Sequence, residues 1–453
     1  MPRADNDFRR LVAGVNLKVP IAGGGTATAI NFDNAATTPP FHAVMNRIVD
    51  FAPWYSSVHR GKGYKSVLSS DLYEKAREMV HEFIGADPSQ VVIFTKNTTE
   101  SANLLAHVLR AIRPEQIILS TEMEHLANDL PWRTGFKTDY VRVDSDGRLS
   151  LPNLEAKLRA YQGKVGLVAV SGASNVTGYM NPLSQIARTA HRHGAKIFVD
   201  AAQLASHAPI DMKPVNSPDH IDYLAFSAHK MYAPFGIGVL IGPMEDFTQT
   251  EPLLAGGGAV GLVSRQFVEW GPPPARHEAG TPNIIGLVAL TAAIATLNSS
   301  DLRSVHAYEN GLIRYAINGM KAIPGLTLYC IPDQEQSEVE DNRVSLISFS
   351  LKEVSHGLLA EILSGEAGIA VRNGLFCAHP YVEKLLGLTQ QELEYYHAHE
   401  DIVVPGLVRI SFGLYNTSRE VDIFIDLLTR IARNPRRYIE KYTQRCMPGN
   451  VYC

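Results

Sequence analysis

The chain has 453 residues, of which 45% are hydrophobic, and a formal net charge of −4. A chain of this length buries a large core and usually forms more than one domain. The charge and the lack of long basic runs argue against nucleic-acid binding. The most apolar stretch, Gly286–Leu297, is too short to span a bilayer, so we expect no membrane segment.

The cysteines and the N-terminal residues indicate a reducing compartment. The N-terminus has early positive charge but lacks the sustained apolar core of a secretory signal. The four cysteines are few and widely spaced for a disulfide framework, so we expect a cytoplasmic protein. They are Cys330, Cys377, Cys446 and Cys453.

The pattern of apolar residues divides the chain into three parts. Residues 1–30 end in a glycine run and predict an N-terminal arm. Residues 31–299 alternate short apolar strands with amphipathic helices, which predicts a large α/β domain with a mostly parallel sheet. Residues 300–453 contain helical segments and a strand at Ser345–Ser350, which predicts a smaller α+β domain.

One stretch of the large domain reads as a strand–helix–strand unit. The strands are Val165–Val170 and Lys196–Val199. Between them, Asn181 is the expected helix cap, Pro182 lies in the first turn, and Gly194 ends the helix.

Polar side chains follow the ends of several predicted strands. Asn175, Asp200 and Lys230 each come at or just after a strand end, and Gln203 lies in the turn beyond Asp200. His125 follows another strand. Because the carboxyl ends of parallel strands meet at one edge of a sheet and bind ligands there, we expect these side chains to converge.

These residue types suit pyridoxal 5′-phosphate (PLP). The Lys230 amine can form an imine with the cofactor's aldehyde, and Asp200 can keep the pyridine nitrogen protonated, so that the ring accepts electrons. Gln203 is placed to bond the ring hydroxyl and His125 to stack on the ring face. Each residue taken alone also fits a purely structural interpretation, such as a surface lysine or a helix cap.

A phosphate site is predicted at the start of one helix. Residues 97–100, Asn-Thr-Thr-Glu, lie between a strand and a helix, where free N–H groups and the helix dipole favour an anion. Such a run is also typical of a capping box. The candidate donors are Thr98, Thr99, Ser227 and His229.

Eleven different short motifs follow one another along residues 31 to 430. They are Asp33–Thr38, Val58–Gly61, Asn97–Glu100, Glu122–His125, Ser174–Gly178, Phe198–Gln203, Ser227–Lys230, Gly236–Leu240, Glu278–Asn283, Arg372–Cys377 and Arg409–Thr417. As an ordered set they resemble class V aminotransferase-fold PLP enzymes, and within that group cysteine desulfurases and selenocysteine lyases. The resemblance implies PLP-dependent transferase fold type I.

The resemblance also implies a role for each candidate residue. The implied cofactor-binding residues are Thr98, Thr99, His125, Asp200, Gln203, Ser227, His229, Lys230 as the Schiff-base lysine, and Thr281, which would reach the phosphate across a homodimer interface. The implied substrate-binding residues are Asn175, Arg372 and Arg409, and the implied catalytic residues are Lys230, His125 and Cys377. Arg409 suits a carboxylate because its planar fork makes two parallel hydrogen bonds.

Cys377 distinguishes the reactions that this fold hosts. In desulfurases the matching cysteine attacks the sulfur of the bound substrate, so that alanine leaves and a protein persulfide remains for a possible sulfur-acceptor protein. A free cysteine is more often a buried small hydrophobe. The glycine in the loop before Cys377 favours an exposed position, so we expect a cysteine-like substrate and a catalytic thiol.

Other readings stay open. A PLP-dependent lyase, epimerase or aminotransferase of specialised metabolism would leave Cys377 dispensable, and a non-catalytic scaffold is disfavoured by the intact Lys230 and Asp200. Residues 388–405 look like an insertion, and the two histidines of its His397-Ala-His399 are too few to predict a metal site. The tail with Cys446 and Cys453 reads as a disordered end rather than a sulfur relay.

Overall fold

The computed structural model describes residues 7–331, 342–399 and 402–443. The tail with Cys446 and Cys453 lies outside them. The strands are β1 (Lys18–Pro20), β2 (Thr26–Thr28), β3 (Ile30–Asn31), β4 (Gln90–Thr95), β5 (Ile117–Thr121), β6 (Lys137–Val141), β7 (Val165–Ser171), β8 (Lys196–Asp200), β9 (Tyr223–Ser227), β10 (Gly238–Pro243), β11 (Val260–Val263), β12 (Val268–Trp270), β13 (Leu326–Leu328), β14 (Leu346–Leu351), β15 (Ile369–Ala370), β16 (Arg372–Gly374) and β17 (Leu407–Ser411).

Helices connect the strands and cover both faces of the main sheet. The α-helices are α1 (His42–Phe51), α2 (Tyr64–Phe83), α3 (Thr98–Ile112), α4 (Leu130–Arg133), α5 (Leu151–Ala160), α6 (Leu183–Arg192), α7 (Met244–Thr248), α8 (Ile284–Ser299), α9 (Leu302–Lys321), α10 (His356–Ala367), α11 (His379–Leu386), α12 (Gln390–Ala398), α13 (Ser418–Arg433) and α14 (Pro435–Thr443). Short 3-10 helices span Asp7–Leu11, Ala52–Trp54, Leu126–Asn128, Ala228–Lys230 and Ala275–His277.

The central sheet has seven strands in the order β4-β10-β9-β8-β7-β5-β6. Only β10 runs antiparallel to its neighbours, β4 and β9. Two apolar clusters pack on the two faces of the sheet, which explains why strands such as β4 and β9 are buried at every position. The mostly parallel α/β sheet predicted from the sequence is therefore confirmed.

The predicted strand–helix–strand unit is present, but its helix cap is not Asn181. Helix α6 begins at Leu183, and Pro182 occupies the cap position without a side-chain bond. The Asn181 amide instead donates to the Ser171 carbonyl at 2.8 Å. Asn181 is buried, and its side chain therefore bonds the carbonyl at the end of β7 instead of capping α6.

The chain after α8 builds a second, smaller sheet. Its order is β13-β14-β17-β16, and each adjacent pair is antiparallel. A separate apolar cluster lies between this sheet and helices α9, α10 and α13. Ile30 and Phe32, from near the N-terminus, belong to the same cluster, and β3 pairs with β15.

Among the described residues, no single helix is both long and apolar enough to cross a membrane. Helices α8 and α9 pass that test only when taken together, and they bend by 77° where they meet. Most of α8 is buried inside the protein, packed against α1 and α2.

Candidate active site

A cavity of about 270 Å³ opens at the carboxyl end of the central sheet. It is lined by residues from the strand ends of the large domain and from the smaller sheet. Twelve of the sequence-predicted site residues line it: Thr98, Thr99, His125, Asn175, Asp200, Gln203, Ser227, His229, Lys230, Arg372, Cys377 and Arg409. The predicted convergence at one sheet edge is thus what the fold produces.

Thr281 is the predicted site residue that lies elsewhere. It does not line the cavity of its own chain, and its side chain is exposed in the loop before α8. The preceding Gly280 has a φ of +92°, a conformation that glycine adopts without strain. Its exposed position is compatible with a role at a second subunit, which stays a prediction.

The Lys230 amine and the Asp200 carboxylate line the cavity from neighbouring parallel strands. Lys230 ends the 3-10 turn after β9, and Asp200 is the last residue of β8. Burial lowers the pKa of Lys230 to about 8, although the Asp200 carboxylate opposes this change. Burial also raises the pKa of Asp200, against the effects of the Ala202 N–H and of Lys230. A lysine with this pKa exchanges its proton readily near neutral pH.

The first turn of α3 packs against the end of β9. Both the N–H and the hydroxyl of Thr98 lie 2.8 Å from the Ser227 hydroxyl, and Asn97 caps the helix through the Glu100 N–H. Strand β10 lies between β4 and β9 in the sheet, and a Cβ at its Gly238 would sit 2.5 Å from the Cα of Asn97. Glycine at this position therefore allows the helix start to approach the sheet.

The two cavity histidines are neutral at neutral pH. Burial, with the charges of Lys230 and Arg409, lowers the pKa of His125 to about 4. Burial and Lys230 lower that of His229 to about 4 as well. The His125 Nδ1 accepts the Ala127 N–H at 3.0 Å, so its hydrogen is on Nε2. An uncharged ring at His125 suits stacking on an aromatic ligand.

Two arginines face the cavity from neighbouring strands. Arg409 on β17 and Arg372 on β16 are register partners, and Asp33 lies 3.4 Å from the first and 3.9 Å from the second. Arg409 also donates to the Asn175 carbonyl at 2.8 Å. Its Nε is buried without a hydrogen-bond partner. Burial lowers the pKa of Arg409 to about 10, so its charge persists at neutral pH.

Cys377 is exposed on a loop whose backbone is hydrogen-bonded to two segments of the large domain. The Phe376 carbonyl accepts the Asn175 side-chain amide at 2.8 Å, and the Cys377 carbonyl accepts the Leu126 N–H at 2.7 Å. Phe376 and Cys377 have φ values of +52° and +53°. Two consecutive left-handed residues that are not glycine cost about 1–3 kcal/mol each, and the flanking hydrogen bonds hold them there.

Glu124 is a buried carboxyl that the sequence analysis did not single out. It accepts hydrogen bonds from the side chains of Thr121, Asn128 and Ser171, and Ser171 lines the cavity. Burial raises its pKa to about 7, although these donors oppose the change. Its position in the Glu122–His125 motif, directly before His125, was the available signal.

Comparison with known proteins agrees with this geometry. The family model for Aminotransferase class-V matches residues 30–424. The chain belongs to the class-V aminotransferase family. Enzymes of this family depend on PLP, so the family membership also confirms the PLP fold type I architecture expected from the motifs.

Within the family, the chain is similar to cysteine desulfurases. It is 35% identical to the cysteine desulfurase of Haloferax volcanii, with 89% of each sequence covered. It is also 35% identical to a probable cysteine desulfurase of Mycolicibacterium paratuberculosis, over 88% of this chain but only 55% of that protein's length.

Solved structures give the same relationship. The apo cysteine desulfurase of Thermococcus onnurineus NA1 superposes with a TM-score of 0.78 at 32% identity, covering 89% of this chain and 95% of that one. The cysteine desulfurase CsdA (S-sulfonic acid) of Escherichia coli gives a TM-score of 0.74 at 30% identity, with the same coverage.

The cavity residues fit PLP. An amine, a carboxylate at a strand end and a set of hydroxyl and N–H donors at a helix start are the groups that an aldehyde, a pyridine nitrogen and a phosphate require. The unpartnered Nε of Arg409 remains for a ligand carboxylate. Lys230, Asp200 and Thr98 would hold the cofactor.

Replacing Asp200 with asparagine tests its expected contact with the pyridine nitrogen of PLP. A neighbouring carboxylate raises the pKa of a protonated ring nitrogen by roughly 1–3 units. Loss of the Asp200 charge should therefore lower kcat by roughly 10- to 1,000-fold. Steady-state kinetics on the cofactor-loaded variant measure the loss, and the visible absorbance of bound cofactor serves as the control for occupancy. A kcat within a factor of two of wild type at full occupancy would exclude this role.

Proposed function

We propose that this protein is a PLP-dependent cysteine desulfurase that converts L-cysteine, or L-selenocysteine, to alanine and leaves the sulfur or selenium on the enzyme. The proposal rests on one observation: the exposed thiol of Cys377 lines the same cavity as Lys230 and Arg409. The cavity therefore combines an amine for proton transfer, a carboxylate-binding arginine and a nucleophile.

PLP, when bound, supplies an electron sink for the bond at the substrate α-carbon. Thr98, Thr99, Ser227 and His229 would donate hydrogen bonds to its phosphate. Asp200 would hold a proton at its ring nitrogen, Gln203 would bond the ring hydroxyl, and the neutral ring of His125 would stack on its face. Gln203 also donates to the Ala35 carbonyl at 2.7 Å, which fixes its amide.

The substrate carboxylate would bind the Arg409 Nε, which is buried without a hydrogen-bond partner. The two terminal nitrogens of Arg409 contact the Asn175 carbonyl and Asp33, and these contacts fix the guanidinium plane. Arg372 adds positive charge from the neighbouring strand. The amide nitrogen of Asn175 is engaged by the Phe376 carbonyl, so we assign Asn175 a positioning role toward Arg409 through its own carbonyl. This binding aims the substrate sulfur toward the loop that carries Cys377.

Lys230 moves the α-proton, and Cys377 takes the sulfur. The thiolate forms an S–S bond while the substrate C–S bond breaks, and a proton returned by the Lys230 amine completes alanine. The balance is L-cysteine plus a protein thiol giving alanine plus a protein persulfide, with no external oxidant. A thiol with this role must stay reduced between turnovers, which supports a cytoplasmic location, and an external acceptor protein would remove the persulfide sulfur.

A product assay tests the reaction class. The purified holoenzyme is incubated with L-cysteine and separately with L-selenocysteine, and alanine, pyruvate and ammonia are quantified. A desulfurase yields alanine without pyruvate. Pyruvate and ammonia in equal amounts would instead identify an eliminating lyase, in which no protein nucleophile is needed.

We also propose that the active unit is a homodimer in which Thr281 reaches the phosphate of the neighbouring subunit. Mixing Thr281→Ala subunits with inactive Lys230→Ala subunits then creates one intact site per hybrid dimer. We expect the mixture to regain PLP affinity and activity that neither variant has alone, measured by cofactor titration after co-refolding or co-expression. A wild-type monomer by light scattering with full activity, or mixtures that regain nothing, would contradict it.

A further inference from the structure

Three metal-ligating side chains meet at the edge of the sheet opposite the cavity. His191 lies in the last turn of α6, and His220 and Asp222 lie just before β9. One ligand atom from each lies within 4.8 Å of the other two. The amino ends of β8 and β9 are adjacent here, so this cluster is separated from Lys230 by the length of a strand.

The backbone contacts of the two imidazoles orient their lone pairs. The Nδ1 of His191 lies 3.0 Å from the Pro218 carbonyl, and the Nδ1 of His220 lies 2.7 Å from the Ser217 carbonyl. A carbonyl only accepts, so each Nδ1 carries the hydrogen and each neutral ring has its lone pair on Nε2. This arrangement is the one that metal-binding histidines adopt, with the second ring nitrogen bonded to a carbonyl.

Both Nε2 atoms point at the same carboxylate. The His191 Nε2 lies 2.9 Å from one oxygen of Asp222, and the His220 Nε2 lies 3.4 Å from the other. Lone pairs on the two nitrogens and on the carboxylate repel one another unless something positive lies between them. A proton on one ring would leave the other ring's lone pair facing the carboxylate. Protons on both rings would place two positive charges on imidazoles whose centroids are 4.3 Å apart, whereas one divalent cation satisfies all three groups with both rings neutral.

We propose that His191, His220 and Asp222 bind a divalent transition-metal cation of the zinc class. Zinc bonds to nitrogen and oxygen of about 2.0–2.1 Å place tetrahedral ligand atoms about 3.3 Å apart. The two separations between a histidine Nε2 and an Asp222 oxygen, 2.9 Å and 3.4 Å, lie on either side of this value. The imidazoles stack with centroids 4.3 Å apart, a spacing that lets both nitrogens face one ion. Two histidines and one carboxylate leave the fourth position open to water.

The surroundings tolerate the added charge and give access to it. Lys196, whose charge acts on His220, is paired with Asp246 at 2.6 Å. The side chains of His191 and His220 keep 19% and 16% of their surface exposed, whereas that of Asp222 keeps 7%. The Asp222 carboxylate is also fixed in place by the backbone, because its Oδ2 accepts the Ile197 N–H at 2.9 Å. The site joins α6 to the chain before β9, so the metal would cross-link two elements of the large domain.

Zinc titration of the chelator-treated holoenzyme tests the proposal. Calorimetry should give one site per chain, and His220→Gln should weaken that site at least tenfold. The matched control is His193→Gln, because His193 is also partly exposed, directly follows α6 and contacts Glu155 instead. His193→Gln should retain wild-type zinc affinity. His220 is preferred to Asp222 for the test because the Asp222 carboxylate also accepts the Ile197 N–H, so that its loss would disturb the sheet, and circular dichroism verifies each fold.

Thermal unfolding gives a second readout. Zinc should raise the Tm of wild type and of His193→Gln, but not that of His220→Gln. Equal zinc affinity and equal Tm shifts in all three proteins would place any bound zinc elsewhere, for instance on a cysteine, and overturn the proposal. Absence of zinc binding in wild type would also overturn it and leave the cluster as an ion pair only. Neither outcome bears on the desulfurase reaction, which is measured separately by its products.

Discussion

Replacing Cys377 with alanine is expected to reduce alanine formation from L-cysteine by about 10³-fold or more, because removal of a covalent nucleophile leaves only the binding and proton-transfer contributions. The visible absorbance of the bound cofactor should persist, since the thiol is not among the groups that hold it. Alanine release from L-cysteine, measured alongside the absorbance spectrum, checks both expectations. With L-selenocysteine the variant should retain more activity, because selenium leaves more readily than sulfur.

Cys330 offers a matched control for the loss of a thiol. It also has a positive φ, of +57°, but its sulfur packs near Tyr381 and Gly147 and not in the cavity. Cys330→Ala should therefore keep wild-type alanine production. If Cys377→Ala and wild type produce pyruvate at similar rates, the desulfurase mechanism is wrong, although the PLP fold would stand.

Replacing Lys230 with alanine is expected to have a comparable effect for a different reason. The buried amine, whose pKa is lowered to about 8, is both the attachment point for the cofactor and the group that moves the α-proton. We expect activity to fall by about 10³-fold or more and the cofactor to bind only through its phosphate. Small added amines should restore part of the rate, because they can enter the vacated cavity and carry the proton.

Borohydride reduction followed by peptide mapping identifies the attachment point directly. Wild-type enzyme should yield a pyridoxyl-labelled peptide that contains Lys230. Lys384→Ala is the control, because Lys384 is a salt-bridged lysine, paired with Glu122, outside the cavity. Its removal should change neither labelling nor activity. Label on any lysine other than Lys230 in wild type would refute the assignment.

Much of the site was predictable because its residues follow strand ends. Asp200 and Lys230 lie at the ends of consecutive parallel strands, and parallel strands bring their carboxyl ends to one edge whatever the rest of the chain does. Short motifs at the strand ends were therefore enough to predict which residues line the cavity. The predicted Asn181 cap was wrong because a local capping signal does not record that a buried sheet edge also needs a hydrogen-bond donor.

Contacts between distant segments had no comparable signal. Asp33 and Arg409 are 376 positions apart, and their pairing depends on the way the N-terminal segment adds β3 to the smaller domain. Glu124 lies in a quoted motif, yet only the packing around it reveals that it is buried beneath Ser171. No periodic pattern or motif spacing in a single sequence predicts either contact.

The amino-acid sequence alone determined the alternation of strands and helices, the set of polar residues that lines the cavity and the family, because these depend on local patterns of polarity and on short motifs. Only the tertiary structure decided that β10 runs antiparallel between β4 and β9, which makes Gly238 the position where α3 meets the sheet. It also decided that Asn175 holds the Cys377 loop and that His191, His220 and Asp222 converge. The physical reason is that strand order, register and burial are set by packing between segments far apart in the chain, for which local sequence carries little information.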